Sequence, residues 1–246
     1  MKILLAPSET KKSGGAEQFT VESLLFSGEL AGRRSELLRL YDKILQRGDI
    51  SILRKMFGLK KESDIDYYRK DLFSAPAMKA IERYTGVAFD YLDYPELDRK
   101  AQEYVDSHVI LFSNLFGPIR ADDKIPEYRL KQGERVGDLR VEKYYREYTA
   151  ELMENYLRDE EILDLRAGFY DKFYKPEKPY TALKFIKNGK VVSHWAKACR
   201  GIVLREIARS GVESLDEFLK LPIPNLSILE IQHRRNRNEI IYEIAE

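Results

Sequence analysis

The chain has 246 residues, 43% hydrophobic and 34% charged. That is enough to bury a core as one large domain or two small ones, and it excludes a disordered polymer. Lys and Arg number 42 against 41 Asp and Glu, a formal net charge of +1, so bulk charge gives no support for nucleic-acid binding and any such case rests on local distribution. The single Cys199 excludes an intrachain disulfide framework and a multi-cysteine metal site. No apolar run reaches the roughly 20 residues of a membrane span, and no stretch reads as a signal peptide, so a cytoplasmic location is expected.

In chain order, Lys2 to Ala6 is a short apolar run that predicts a buried strand. Pro7 to Gly15 follows as a polar loop rich in breakers, in the place where α/β proteins put ligand contacts. It carries no nucleotide-binding glycine fingerprint, and an ordinary flexible loop is the alternative reading. Leu24 to Arg69 reads as helices, with Leu37, Leu38, Tyr41, Ile44 and Leu45 at helical spacing. Thr85-Gly86 breaks the pattern between Ala80 and Tyr94, and Asp98 to Asp106 predicts a helix leading into a second strand, Val109 to Phe112. Ser113 to Arg120 reads as a loop after that strand. Asp122 to Gly137 is irregular and polar. Tyr144 to Leu157 predicts an amphipathic helix with Tyr145, Tyr148, Leu152 and Tyr156 on one face. Ile162 to Leu165 is a third strand, and Arg166 to Tyr170 a third strand-end loop.

Local charge is most uneven from Lys184 to Arg209, where Glu206 is the only acid among seven bases. Asn188-Gly189 between two apolar-basic runs predicts a hairpin, and a helix follows to about Ser210 with Gly211 as its C-cap. On that helix Cys199, Ile202, Val203 and Ile207 point inward, while Lys197 and Arg200 share another side. Bases near a helix N-terminus reinforce the positive end of its dipole, which predicts an anion site; a solvated basic face is the bland alternative. Gly201 inside the helix costs about 1 kcal/mol relative to Ala and therefore predicts a close backbone approach. Asp216 to Leu219 reads as a short helix. The strands Ser227 to Ile231 and Glu239 to Ile244 flank Arg234, Arg235 and Arg237, a phosphate-facing loop or the tip of an edge hairpin. No zincin or hydrolase motif is present, and His108, His194 and His233 are isolated. Cys199 reads as a buried thiol, and Glu9 as an acid or base beside Ser8.

Several of these segments, in order, resemble the YaaA family, the peroxide-stress-resistance proteins of bacteria. They are Met1 to Lys11, Tyr84-Thr85-Gly86, Ser113 to Arg120, Pro126 to Gly133 and Trp195 to Gly201. The resemblance spans the chain. It implies an α/β fold, a single compact domain (1–246) with a mixed sheet, surrounding helices, a positively charged cleft and a helix-hairpin-helix-like element. It also implies a protein that limits oxidative DNA damage linked to intracellular iron by binding duplex or branched DNA. On that analogy Lys197 and Arg200, with Gly201, match the family's Ala-Lys-x-x-Arg-Gly segment, and Arg120 and Arg129 match other basic positions. Lys11, Lys12, Lys131, Lys172 and Arg205 complete the expected DNA-contact set. No cofactor, metal or membrane partner is expected, and no residue is assigned a catalytic role. One departure stands out: Glu9 lies where many members carry a base.

The competing expectation is an enzyme acting on a phosphorylated or nucleobase-containing small molecule. Its basis is the three strand-end loops, which would converge on one pocket. A wide basic groove would favour nucleic acid; a narrow pocket holding Glu9 and Arg200 together would favour the small molecule.

Overall fold

The structure is a computed structural model that describes residues 1–245, apart from the side chains of Ser193 and His194. His194, one of the isolated histidines, thus has its side chain outside the described residues.

The chain opens with β1 (Lys2–Leu5), then α1 (Ser27–Arg47), α2 (Ile50–Phe57) and α3 (Glu62–Tyr67). Next come β2 (Ala77–Lys79), α4 (Ala80–Arg83), α5 (Val87–Leu92) and α6 (Arg99–His108). The strands β3 (Val109–Ser113), β4 (Gly117–Arg120), β5 (Lys124–Pro126), β6 (Arg135–Val136) and β7 (Leu139–Arg140) precede α7 (Val141–Tyr156). The last third holds β8 (Ile162–Asp164), β9 (Tyr180–Lys187), β10 (Lys190–Val191), α8 (Ser193–Ser210), α9 (Leu215–Lys220), β11 (Leu226–Arg234) and β12 (Arg237–Ile244).

An eight-stranded mixed sheet runs in the order β11-β12-β9-β8-β1-β3-β4, with β10 paired to β9. The five inner strands are parallel, and antiparallel β11 and β4 close the two edges. The inner strands β1 and β3 are almost continuously apolar because both sheet faces are covered, as parallel sheets require. Helix ends follow the local chemistry. The Asp49 carboxylate accepts from the Ser51 and Ile52 amides, Asp98 accepts from Ala101, and Ser214 from Glu217. Asn188 and Gly189 both adopt positive φ, as a two-residue hairpin turn requires.

Four expectations change in detail. Ser113 to Arg120 is a tight hairpin rather than an open loop, since Gly117–Arg120 returns alongside β3 as the edge strand β4. The buried stripe of α7 is Val141, Tyr145, Thr149 and Met153, while Tyr156 is exposed. Tyr145 belongs to both faces, but Tyr148 is only partly buried, so apolar area alone misjudged the face by part of a turn. The polar stretch from Asp122 to Gly137 carries two short strands, β5 and β6. Arg234 and Arg237 face each other in register at the tip of the β11–β12 hairpin, and Arg237 pairs with Glu239 at 2.6 Å. Among the described residues the long β11 has no strand on its outer side.

Candidate functional site

The strand order reverses at β1: the chain moves to β3 on one side, and β8 and β9 lie on the other. In parallel α/β sheets the crevice above such a point is the usual place for a ligand. Here it is a cleft of about 340 Å³, lined by Ser8, Glu9, Thr10, Gln132, Lys197 and Arg200 among polar residues and by Leu5, Phe89, Leu165 and Tyr170 among apolar ones. A cleft of this size suits a small ligand.

The loop after β1 forms one wall, and it is pinned. The Thr10 amide donates to Ser8 Oγ (3.2 Å), Thr10 Oγ1 donates to the Thr85 carbonyl (3.1 Å), and the two hydroxyls are 3.0 Å apart. Backbone bonds from Thr85 to Thr10 and from Lys12 to Arg83 tie it to the α4–α5 junction. Gly86 opens α5 at φ +102°, and a β-carbon there would press within 3.3 Å of both loop hydroxyls. The buried Arg83 guanidinium donates to the carbonyls of Lys12, Gly14, Pro76 and Ile125, so the far end of the loop is fixed as well.

Glu9 is held rather than free. Its carboxylate accepts from Arg129 Nη2 (3.1 Å) and from the Gln132 amide (3.2 Å), while Arg129 also donates to the carbonyls of Glu9 and Phe57. Its side chain nonetheless stays 39% exposed, facing the cleft. Behind it, Lys11 Nζ donates to the Ser8 and Glu9 carbonyls and lies 4.0 Å over the Tyr128 ring. Burial, and then the positive charge of Arg129, bring the Lys11 ammonium down to about 7, with Glu9 and Glu127 opposing the drop. Its unfolded value is ordinary, so between about pH 7 and 10.5 the unfolded chain binds the extra proton and stability rises with pH. Comparing wild type with Lys11→Met by urea unfolding across this window should show a relative gain for the wild type approaching ~1.4 kcal/mol per pH unit. A flat difference would mean that the ammonium is not disfavoured by the fold.

The opposite wall is α8. Gly201 permits its approach: a β-carbon there would overlap the Ala88 carbonyl oxygen and sit 2.9 Å from Tyr91 Cβ, both on α5. This contact turns Lys197 and Arg200 onto the cleft. Lys197 is exposed. Arg200 is largely buried, and its Nε, shielded from solvent, has no hydrogen-bond partner. Burial lowers the Arg200 pKa, and nearby Asp164 counteracts that. Asp164 itself is engaged by Arg166, at 2.9 Å to Nε and 2.8 Å to Nη2. Tyr170 completes the cleft and donates to Asn114 Oδ1 at 3.2 Å. The loops after β1 and β8 therefore converge directly, and the hairpin after β3 supports them from behind.

The nine basic candidates are not one surface. Lys197 and Arg200 line the cleft, and Lys11 and Arg129 brace its floor through Glu9. Arg120 pairs with Asp123 and lies 3.4 Å from Asp122, on the edge strand. Arg205 pairs with Asp93 at 3.3 Å, and Lys131 approaches Glu134 at 3.7 Å. Lys172 lies 4.8 Å over the Phe169 ring, and Lys12 is exposed. Ser8, named beside Glu9, belongs to the cleft, and so do Thr10, Gln132 and Tyr170, which were not singled out. Thr10 sat in the marked loop and Tyr170 ended the third strand-end loop, whereas Gln132 carried no signal of its own.

Cys199 is buried, and burial pushes its thiol up to about 11. Iodoacetamide should leave the native protein unmodified and react fully after denaturation; rapid native labelling would contradict that burial. His108 stacks on Tyr104, and His233 bonds to Asn238. Among the described residues no group of three or more His, Cys, Asp or Glu could hold a metal ion, and no helix is long and apolar enough to cross a membrane.

A family model described as "Peroxide stress protein YaaA" matches residues 1–231. An uncharacterised protein of Campylobacter jejuni is 43% identical over 246 residues, covering 100% of both chains. A UPF0246 protein of Streptomyces coelicolor is 32% identical, covering 86% of this chain and 84% of its own. Another from Corynebacterium glutamicum is 29% identical and covers 98% of each. With a family match over nearly its whole length and full-length relatives, the chain belongs to the YaaA peroxide stress protein family.

Proposed function

We propose that this protein serves peroxide-stress resistance by binding a small phosphate-bearing ligand in the cleft between the β1 loop and α8. The observation that carries this reading is Arg200: a mostly desolvated guanidinium whose shielded Nε lacks a partner, with Lys197 beside it in the same cleft. A buried donor left unpaired costs about 1–3 kcal/mol, and an anion in the cleft removes that cost once the side chain turns its fork onto it. The narrow cleft holding both Glu9 and Arg200 supports the small-molecule reading over a groove for duplex. Calorimetric titration with inorganic phosphate and pyrophosphate should give binding that Arg200→Gln weakens at least tenfold. Equal binding by both proteins, or none by the wild type, would remove the proposal.

The second reading is the DNA binding that the family resemblance implies, with protection of DNA from iron-linked oxidative damage as its outcome. What favours it is the surface leading away from the cleft. Trp195, the chain's only tryptophan, is 45% exposed with Lys187 Nζ 5.2 Å over its ring. Lys184 and Lys190 lie on the same hairpin, β9–β10, and Lys197 two residues further along α8. Aromatic-plus-basic surfaces of this type stack bases and track phosphates. If DNA is the partner, Lys197→Ala should weaken binding to duplex and branched DNA and lower the log–log salt slope by about one. An unchanged slope would rule out Lys197 as a phosphate contact.

A further inference from the structure

The hydrogens of the β1 loop can be counted, and the count restricts what the cleft accepts. Thr10 Oγ1 gives its proton to the Thr85 carbonyl, so the 3.0 Å contact between the two hydroxyls must use the Ser8 proton. Both hydroxyl protons are therefore spent inside the protein. Ser8 Oγ already accepts from the Thr10 amide, which leaves the loop hydroxyls with acceptor lone pairs only. Glu9 is an acceptor as well: each carboxylate oxygen receives one protein N–H and retains a lone pair, and the side chain is partly exposed to the cleft. The opposite wall carries Lys197 and Arg200, which are donors only.

Resting on the anion-binding reading above, we propose that the cleft selects a phosphorylated sugar with free hydroxyls, alone or within a nucleotide. Its phosphate lies on the Arg200 and Lys197 wall, and its hydroxyl protons are given to Glu9 and the Ser8–Thr10 pair. A bare phosphate or a phosphate ester without donors satisfies one wall and leaves the other facing nothing. An anion turned toward Glu9 would meet a carboxylate, so the two walls also fix the ligand's direction. Glu9, where the resemblance led to the expectation of a base, becomes the residue that reads the uncharged end. Sites built to pair with a ligand hydroxyl reject analogues lacking it strongly, because the protein's own polar groups are then left unpaired.

The test is calorimetric titration of the full chain with ribose 5-phosphate, adenosine 5′-monophosphate, methyl phosphate and inorganic phosphate. The two sugar-bearing ligands should bind at least tenfold more tightly than methyl phosphate. Glu9→Gln, which exchanges one acceptor oxygen for an NH₂ donor, should remove that advantage. Ser8→Ala should reduce the advantage in the same direction. Tighter binding of the nucleotide than of ribose 5-phosphate would identify the nucleotide as the source; equal binding would assign the recognition to the sugar phosphate alone. Methyl phosphate binding as tightly as ribose 5-phosphate to the wild type overturns the proposal yet leaves the anion site standing, and this comparison needs no variant to fold. Failure of all four ligands to bind overturns both.

Discussion

Gly201→Ala is expected to lower the melting temperature by roughly 4–8 °C and to abolish phosphate binding. The added methyl has no room: it meets the Ala88 carbonyl oxygen and lies 2.9 Å from Tyr91 Cβ, and the Ala88 oxygen is backbone, which cannot swing aside. Overpacking of this kind costs about 1–3 kcal/mol and sometimes more. The overlap is with fixed backbone, which puts the cost at the upper end of that range, and alanine returns about 1 kcal/mol in helix propensity, leaving a net loss near 2 kcal/mol. For a chain of this size each kcal/mol moves the midpoint by about 2–4 °C. The functional loss arises because α8 and α5 must separate, and these two helices hold Lys197, Arg200, Ala88 and Phe89 around one cleft. Scanning calorimetry and phosphate titration of the same variant check both halves. A midpoint at or above that of the wild type would mean that the helices are not in contact.

Arg34→Met should be the more damaging change to stability, by about 3–5 kcal/mol in urea unfolding. Arg34 is fully buried on α1 and reaches across to the hairpin that follows β3. Its Nε donates to the Phe116 carbonyl (2.9 Å), Nη2 to Pro118 (2.6 Å) and Nη1 to Leu25. Burial lowers its pKa, and Asp123 is the nearby acid that limits the fall. Methionine fills much of the volume but donates nothing, so three buried carbonyls lose their partner at about 1–3 kcal/mol each before relaxation. Arg34→Lys should rescue poorly, since an ammonium on a flexible stem cannot reproduce the planar fork. A loss below about 1 kcal/mol for Arg34→Met would show that the carbonyls find other donors.

Much of this architecture could be read from the chain because its signals were local. The β1, β3 and β8 strands announce themselves as short apolar runs, Asn188-Gly189 as a hairpin turn, and Gly211 as a helix cap. Gly201 was legible for a physical reason: a glycine inside a helix is unfavourable unless something needs the space, and Ala88 takes it. Lys197 and Arg200 were marked by charge asymmetry and do line the cleft. What escaped was non-local. That Arg129 would be spent on Glu9, Arg205 on Asp93 and Arg120 on Asp123 depends on partners 112 or more residues away for the first two and on a turn geometry for the third. Gln132 enters the cleft only because its amide is tied to Glu9. The hairpin at β4 was masked by its Gly-Pro, which reads as a loop until the edge of a sheet is known to be there.

The lone tryptophan has a practical consequence. Trp195 sits in the first turn of α8 on the face away from Arg200, half in solvent, with a lysine ammonium above its indole. The protein therefore carries one indole fluorophore, placed on the helix that forms the cationic wall yet outside the cleft. Its emission reports how that helix sits without any ligand having to touch the ring, and no second tryptophan obscures the signal. Occupancy of the cleft and movement of its wall can then be followed in the unlabelled native chain.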